Sequence, residues 1–283
     1  MTIPYPHIPP IIVSVGPVAI RWYGVMYAVG YIVGYRLVLT RTARAVMPIS
    51  RADLDSWIGY LVVGMLLGAR LMYAAVYDRP QFERDPVELL RVWHGGLSFH
   101  GAVLGMTIAC VLFARVHRVR FLAVADLLAL AGTPGLFFGR LGNFINGELY
   151  GRPSNVPWAM VFPGDSLRAP RHPSQLYEAL AEGVLLGLIV WTIARWSTAR
   201  GWYRSGLLAG TFLIGYGVFR FLIEFTRQPD VQLGLIVGPF SVGQLLSIGM
   251  PVLGVVLLTF VKRAPPAEST MRMKSDRPPE YCP

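Results

Sequence analysis

The sequence predicts an all-α polytopic membrane protein of about seven transmembrane helices with a small external head segment. Three observations carry that class. Of 283 residues, 54% are hydrophobic and only 15% charged, and the mean hydropathy is +0.48, unlike an ordinary soluble domain. The apolar residues fall in long blocks, seven of them long enough to cross a bilayer as helix. Basic residues collect in alternate connections between those blocks, the bias that orients membrane helices.

In chain order, residues 1–16 are proline-rich and extended, and the first apolar block lacks the features of a cleaved signal peptide. The blocks run at about 17–40, 57–77, 97–114, 121–139, 177–194, 205–226 and 239–261. Gly-x-x-x-Gly spacings at Gly30/Gly34, Gly64/Gly68, Gly101/Gly105, Gly183/Gly187 and Gly206/Gly210 mark faces for close helix packing. Segment 140–176 is long for a connection and rich in Pro, Gly and aromatics, which predicts an ordered head. Residues 1–262 thus form one transmembrane domain, and 263–283 a basic, disordered tail. Segments 36–56, 115–120, 195–204 and the tail hold fifteen Lys and Arg, against eight on the opposite connections. That asymmetry predicts a cytoplasmic C-terminus and an external N-terminus.

Composition also excludes functions. The formal charge of +10 is scattered between apolar blocks, which fits anionic lipid headgroups and not nucleic acid. Cys110 and Cys282 cannot build a disulfide framework or a metal site, and Cys110 reads as a small core residue. No metal site, nucleotide loop or Gly-x-Ser-x-Gly elbow is present in the sequence, so no cofactor is expected.

The chemistry concentrates in the stretch from Gly139 to Gly151, at the end of the fourth block. Arg140, Asn143, Asn146 and Glu148 fall within nine residues there, with Gly139, Gly142, Gly147 and Gly151 between them. Such a polar cluster at a membrane boundary is costly unless it is solvated, paired or bound to something. The glycines suit a backbone that takes positive φ and approaches a ligand closely. The plainer reading is a polar helix cap followed by a turn.

Other unusual polar residues belong to the same predicted side. Tyr23 opens the first span and His100 the third; Tyr216, Arg220, Glu224 and Arg227 share a stripe on the sixth. Each has a structural alternative. Tyr23 beside Trp22 suits an interfacial anchor, His100 a packing residue, and Arg227, next to Pro229 and Asp230, a snorkelling or capping cation. Arg220 lies well inside an apolar block, where an arginine costs roughly 2.5–3.5 kcal/mol on insertion scales, and Glu224 one turn away is its natural ion-pair partner. Asp126, at the other end of the fourth block, reads as structural. Arginines, a glutamate, a histidine and amides on one side predict a pocket for an anion with an apolar remainder, such as a phospholipid headgroup. His100 is the candidate base near neutral pH. A lipid or anion transporter and an intramembrane protease are the competing readings. All the unusual polar residues lie on one predicted side, which disfavours transport. Ser98, two residues from His100 on a helix, faces elsewhere, which disfavours a protease.

At the level of motifs the chain resembles the bacterial phosphatidylglycerol–prolipoprotein diacylglyceryl transferases. The resemblance rests on Gly139–Gly151, Gly95-Gly96-Leu97-Ser98-Phe99-His100-Gly101, Arg21-Trp22-Tyr23-Gly24 and His172-Pro173-Ser174-Gln175-Leu176-Tyr177-Glu178. It continues through Tyr216–Arg220, Glu224–Asp230 and Ser241-Val242-Gly243-Gln244, covering the chain to about residue 262. It implies a bacterial inner-membrane enzyme that acts at the outer face. Its substrates would be phosphatidylglycerol and a preprolipoprotein signal peptide bearing a lipobox cysteine. The diacylglyceryl group would pass to the cysteine thiol, releasing glycerol phosphate. The resemblance further implies that Arg140 and Arg220 hold the phosphate and that His100 takes the thiol proton. Tyr23, Asn143, Asn146, Glu148, Gly151, Tyr216, Glu224 and Arg227 would line or orient the substrate.

Overall fold

The computed structural model describes residues 3–6, 8–15, 18–47, 49–91, 95–228, 235–237 and 240–263. The tail after Arg263 and the pair Pro229 and Asp230 lie outside the described residues. The chain is a multi-pass helical membrane protein. Six helices among the described residues are long and apolar enough to cross a bilayer: Arg51–Val76 (α3), Phe99–Val116 (α5), Phe121–Ile145 (α6), Ser174–Ala199, Leu207–Glu224 (α9) and Val242–Arg263 (α10). A seventh apolar helix, Trp22–Val38 (α1), has 17 residues, the lower end of spanning length. The outward faces of these helices carry Ile32, Val63, Leu67, Leu188, Leu222 and Val252, all exposed, as lipid contact requires. The chain divides into two compact units: residues 47–125, and residues 1–46 with 126–283.

In the 47–125 unit, α3 and α5 pack antiparallel through the predicted glycines. A Cβ on Gly64 would stand 2.6 Å from the Gly105 carbonyl oxygen, and Gly68 is as close to Gly101. Both helices carry serine caps, since the first amides of a helix have no partner within it. Ser50 accepts from the Asp53 amide at 3.0 Å and Ser98 from the Gly101 amide at 3.3 Å. The buried Arg70 of α3 gathers the loop before α5, donating to the carbonyls of Leu89 (3.2 Å), Gly96 (3.1 Å), Gly95 and Glu88. One planar donor set thereby satisfies carbonyls that loop backbone would otherwise leave bare.

In the other unit α6 is the central helix. Gly30 and Gly34 bring α1 against Gly135 and Ala131 on it, while Gly183 and Gly187 bring Ser174–Ala199 against Phe137 and Thr133. On α9, Gly217 packs on Pro251 of α10. Gly206 has a backbone role. It has φ +100° and precedes the first residue of α9, a left-handed position that glycine takes without strain. Asp126 explains how α9 starts: its carboxylate accepts from the amides of Gly206 and Ala209, each at 2.7 Å, and from the Tyr203 hydroxyl at 2.6 Å. A carboxylate from another helix thus supplies the cap that α9 lacks locally.

Helix α6 runs six residues past the predicted block end, so the head comprises 146–173 and not 140–176. Two short strands, Met160–Val161 and Pro170–Arg171, pair within it. Its core is aromatic: Phe162, fully buried, stacks on Tyr150 and tilts against Tyr5. The Tyr5 hydroxyl donates to the carbonyls of Phe144 (2.6 Å) and Ile145 (3.0 Å), closing the C-terminal turn of α6.

Replacing Asp126 by Ala strands two amides and a hydroxyl together, which predicts a loss of at least about 2 kcal/mol. Thermal unfolding in detergent would register this as a lower melting temperature, with Asp126→Asn intermediate. An unchanged melting temperature would mean that the three donors find other acceptors.

Candidate active site

Arg140 and Asn143 are helical, in the last two turns of α6. Of the four glycines in the stretch only Gly147 takes left-handed backbone, φ +67°, followed by Leu149 at φ +56°. Gly142 and Gly151 serve packing instead, while a Cβ on Gly139 would meet nothing within 4 Å. At Gly142 a Cβ would meet the Tyr23 ring at 2.8 Å, and at Gly151 it would stand 2.8 Å from His172 Cβ and closer still to the Thr226 carbonyl.

The turn after α6 brings three of the amide and carboxylate side chains together. Asn143 Nδ2 and Asn146 Nδ2 donate to Glu148 Oε1 at 2.8 and 3.2 Å. Tyr23 reaches Asn143 with its hydroxyl, which also sits 3.1 Å from that of Tyr27. Gln175 Nε2 donates to the Glu148 carbonyl at 2.6 Å, and Ser174 Oγ to that of Leu149 at 3.1 Å.

The head is stitched to the end of α9. Gly151 donates its amide to His172 at 2.8 Å and pairs with Arg227 in an antiparallel bridge. The Arg152 amide bonds the Thr226 carbonyl at 2.8 Å. Behind it, buried Arg171 grips Asp165 with two bonds of 2.6 and 2.8 Å and reaches Gln228 Oε1 at 3.1 Å. That guanidinium holds the Asp165 carboxyl below the usual carboxylate range. Beside it burial pushes the His172 imidazole down, and its Nδ1 lies 3.1 Å from the Tyr177 hydroxyl.

The arginines meet at one carboxylate. Glu178 has no exposed surface, and its Oε2 lies 2.7 Å from Arg140 Nη2 and 2.9 Å from Arg220 Nη1. Its Oε1 is 3.2 Å from Arg227 Nη1. Arg220 also pairs with Glu224 at 3.1 Å, as its spacing predicts, and Arg227 stands 3.5 Å from the same oxygen. Gly243 of α10 closes on Glu224; a Cβ there would lie 2.8 Å from Oε1. Arg227 is not on the α9 stripe, because the helix ends at Glu224 and Arg227 returns through a turn and the bridge to Gly151. Tyr216, one turn from Arg220, couples to it and to Arg140 electrostatically.

Burial within the cluster is uneven. Arg140 keeps 20% of its side-chain surface and Arg220 16%, against none for Glu178. Glu178 is therefore the fully buried member of the cluster, and the arginine side chains around it keep some accessible surface. Three guanidinium groups are thus fixed in place by two buried carboxylates, Glu178 and Glu224.

His100 belongs to the 47–125 unit, in the first turn of α5, with its ring exposed and edge-on to Phe99 at 5.9 Å. Sequence reasoning passed over Glu178 as a site residue, although it stands within an apolar block beginning near residue 177. An acid inside a span signals function or pairing by itself. Glu224 lay nearer in sequence and absorbed the expected partnership with Arg220.

Comparison with known proteins agrees over nearly the whole length. The family model for prolipoprotein diacylglyceryl transferase matches residues 10–260. A phosphatidylglycerol–prolipoprotein diacylglyceryl transferase of Azospirillum brasilense is 44% identical over 268 residues, covering 94% of this chain and 99% of its own. Proteins of the same name from Geobacter sulfurreducens (45% identical; 92% of this chain, 97% of the relative) and Methylococcus capsulatus (46%; 90% and 95%) are similar to it as well. A match of that extent, together with the arginine cluster, means that the chain belongs to the prolipoprotein diacylglyceryl transferase family.

Proposed function

We propose that this protein transfers the diacylglyceryl group of phosphatidylglycerol to the lipobox cysteine thiol of a preprolipoprotein at the outer face of the bacterial inner membrane. The observation that carries the reading is the gathering of Arg140, Arg220 and Arg227 on Glu178 at the end of membrane helices. The relatives' names supply the two substrates.

The chemistry follows from charge. The thiol sulfur attacks the glyceryl carbon that carries the phosphate ester, forming a carbon–sulfur bond as the carbon–oxygen bond breaks. The electron pair leaves on the phosphate, which turns from a monoanionic diester toward a more highly charged monoester. Arg140 and Arg220 hold that phosphate and stabilise the charge that develops on it, while Glu178 keeps both guanidinium planes in place beforehand. Asn143, Asn146, Glu148 and Tyr23 form the polar wall beside it, with Gly151, Tyr216, Glu224 and Arg227 completing the surround. His100 takes the thiol proton in this reading. Residues 1–262 constitute the transferase domain, with the head outside and the segment 263–283 in the cytoplasm.

Purified protein, phosphatidylglycerol vesicles and a lipobox peptide test the reaction directly. The expected product is peptide carrying one added diacylglyceryl group; cleaved peptide, or lipid redistribution alone, would replace the reading with proteolysis or transport. Arg140→Lys and Arg220→Lys should each lose about 10²-fold or more in turnover while still accumulating, because a point charge lacks the guanidinium fork. Glu178→Gln should instead lower the melting temperature, leaving three partly buried cations poorly compensated at a cost of up to about 3–5 kcal/mol. Full activity in either lysine variant would remove that arginine from the phosphate.

Removal of the imidazole in His100→Gln should cost about 10²–10⁴-fold near neutral pH. That loss should shrink as pH approaches the thiol's own pKa of about 8.5, where the thiol ionises unaided. A wild-type-to-variant rate ratio that stays constant with pH would take His100 out of proton transfer. For orientation, a reporter active only in the cytoplasm should work when fused after Pro283 and fail within 155–168. The opposite pattern would invert the topology.

A further inference from the structure

The cluster contains a third acid that the reading above does not use. Glu182 lies one turn beyond Glu178, within the π-helical segment Ala179–Leu185, and none of its surface is exposed. Neither of its carboxyl oxygens has a hydrogen-bond partner among the described residues. It is electrostatically coupled to Glu178, Arg140, Arg220, Arg227 and Tyr216. Its helix cannot turn it away, because the next residue, Gly183, is wedged against Phe137 of α6 with room for no Cβ. Single π turns of this kind recur at functional sites, where they aim a side chain that regular α-helix would point elsewhere.

The charge count gives Glu182 its meaning. Glu178 and Glu224 are both engaged in ion pairs with the three arginines, which leaves one positive charge uncompensated. An ionised Glu182 would cancel it, and a bound phosphodiester would then make a buried site net negative. No donor among the described residues bonds to Glu182, so no hydrogen bond offsets the cost of burying its charge. Its neutral form carries no such cost.

Resting on the assignment of this cluster as the phosphate site, we propose that Glu182 sets the site's charge: it stays protonated, so the arginine cluster keeps one positive charge for a monoanionic phosphodiester. The groups facing it are Arg140 from α6, Tyr216 and Arg220 from α9, Arg227 beyond it, and Glu178 on its own helix. Glu182 is thus a specificity-determining residue. It makes the site accept a lipid with one negative charge.

The test compares wild type with Glu182→Gln, which mimics the neutral acid in shape. At pH 7 the infrared difference spectrum between them should contain a protonated-carboxyl band belonging to wild type, and the variant's KM for phosphatidylglycerol should stay within about twofold. Absence of the band, or a larger rise in KM with kcat retained, would overturn the proposal by showing that the ionised form is used. If the variant does not fold, wild type alone decides: adding short-chain phosphatidylglycerol to weakly buffered protein should take up no proton, whereas uptake of one proton per protein would mean Glu182 was charged beforehand. The infrared band requires no substrate. Failure of the phosphate site itself would show separately, as unchanged phosphatidylglycerol binding in Arg140→Lys.

Discussion

Glu178 faces three guanidinium groups from a position with no exposed surface, and much of its half of the molecule is arranged to make that arrangement affordable. Three arginines that close would repel one another and would not stay inside an apolar bundle. A carboxylate shared among them removes the repulsion and fixes each plane, since every arginine spends one edge on it. Each arginine side chain keeps a minor part of its surface accessible. In the proposed reading, stability and anion recognition come from the same contacts.

Several features elsewhere follow from the need to hold that point still. Glu178 and Glu182 ride on a helix pressed onto α6 by Gly183 and Gly187. Arg140 projects from α6 itself. Arg220 sits on α9, whose start is capped by Asp126 of α6 and whose end is pinned to the head by the Gly151–Arg227 bridge. The head is more than a connection, because Arg171 and Asp165 brace the strand that carries His172 to the Gly151 amide. Buried polar groups in this unit are costly singly and supportive when satisfied together.

Parts of the site were legible in the sequence because their cost was legible. An arginine deep in an apolar block, or two carboxamides and a carboxylate packed at a span's end, cannot be neutral in a bilayer, and that alone marked Arg220, Arg140, Asn143, Asn146 and Glu148. Glu178 escaped because its partners are far away along the chain, on α6, on α9 and just beyond it, and spacing arguments see only the partner one turn away. The glycines of the 139–151 stretch misled for a related reason. A missing Cβ serves a turn or a close neighbour equally well, and only Gly147 proved to be at a turn with positive φ.

By itself the sequence determined the apolar spans, their order, the polar residues the membrane would not tolerate unpaired, and the family, because each is written in composition and local spacing. The tertiary structure decided that α6 runs on to Ile145, that Arg227 leaves the α9 stripe, that Asp126 caps a distant helix, and that three arginines converge on one acid. Those outcomes depend on which helix faces lie together. Helix packing in a bilayer is set by close steric fit and buried pairing across the fold, and no local window of sequence contains both partners.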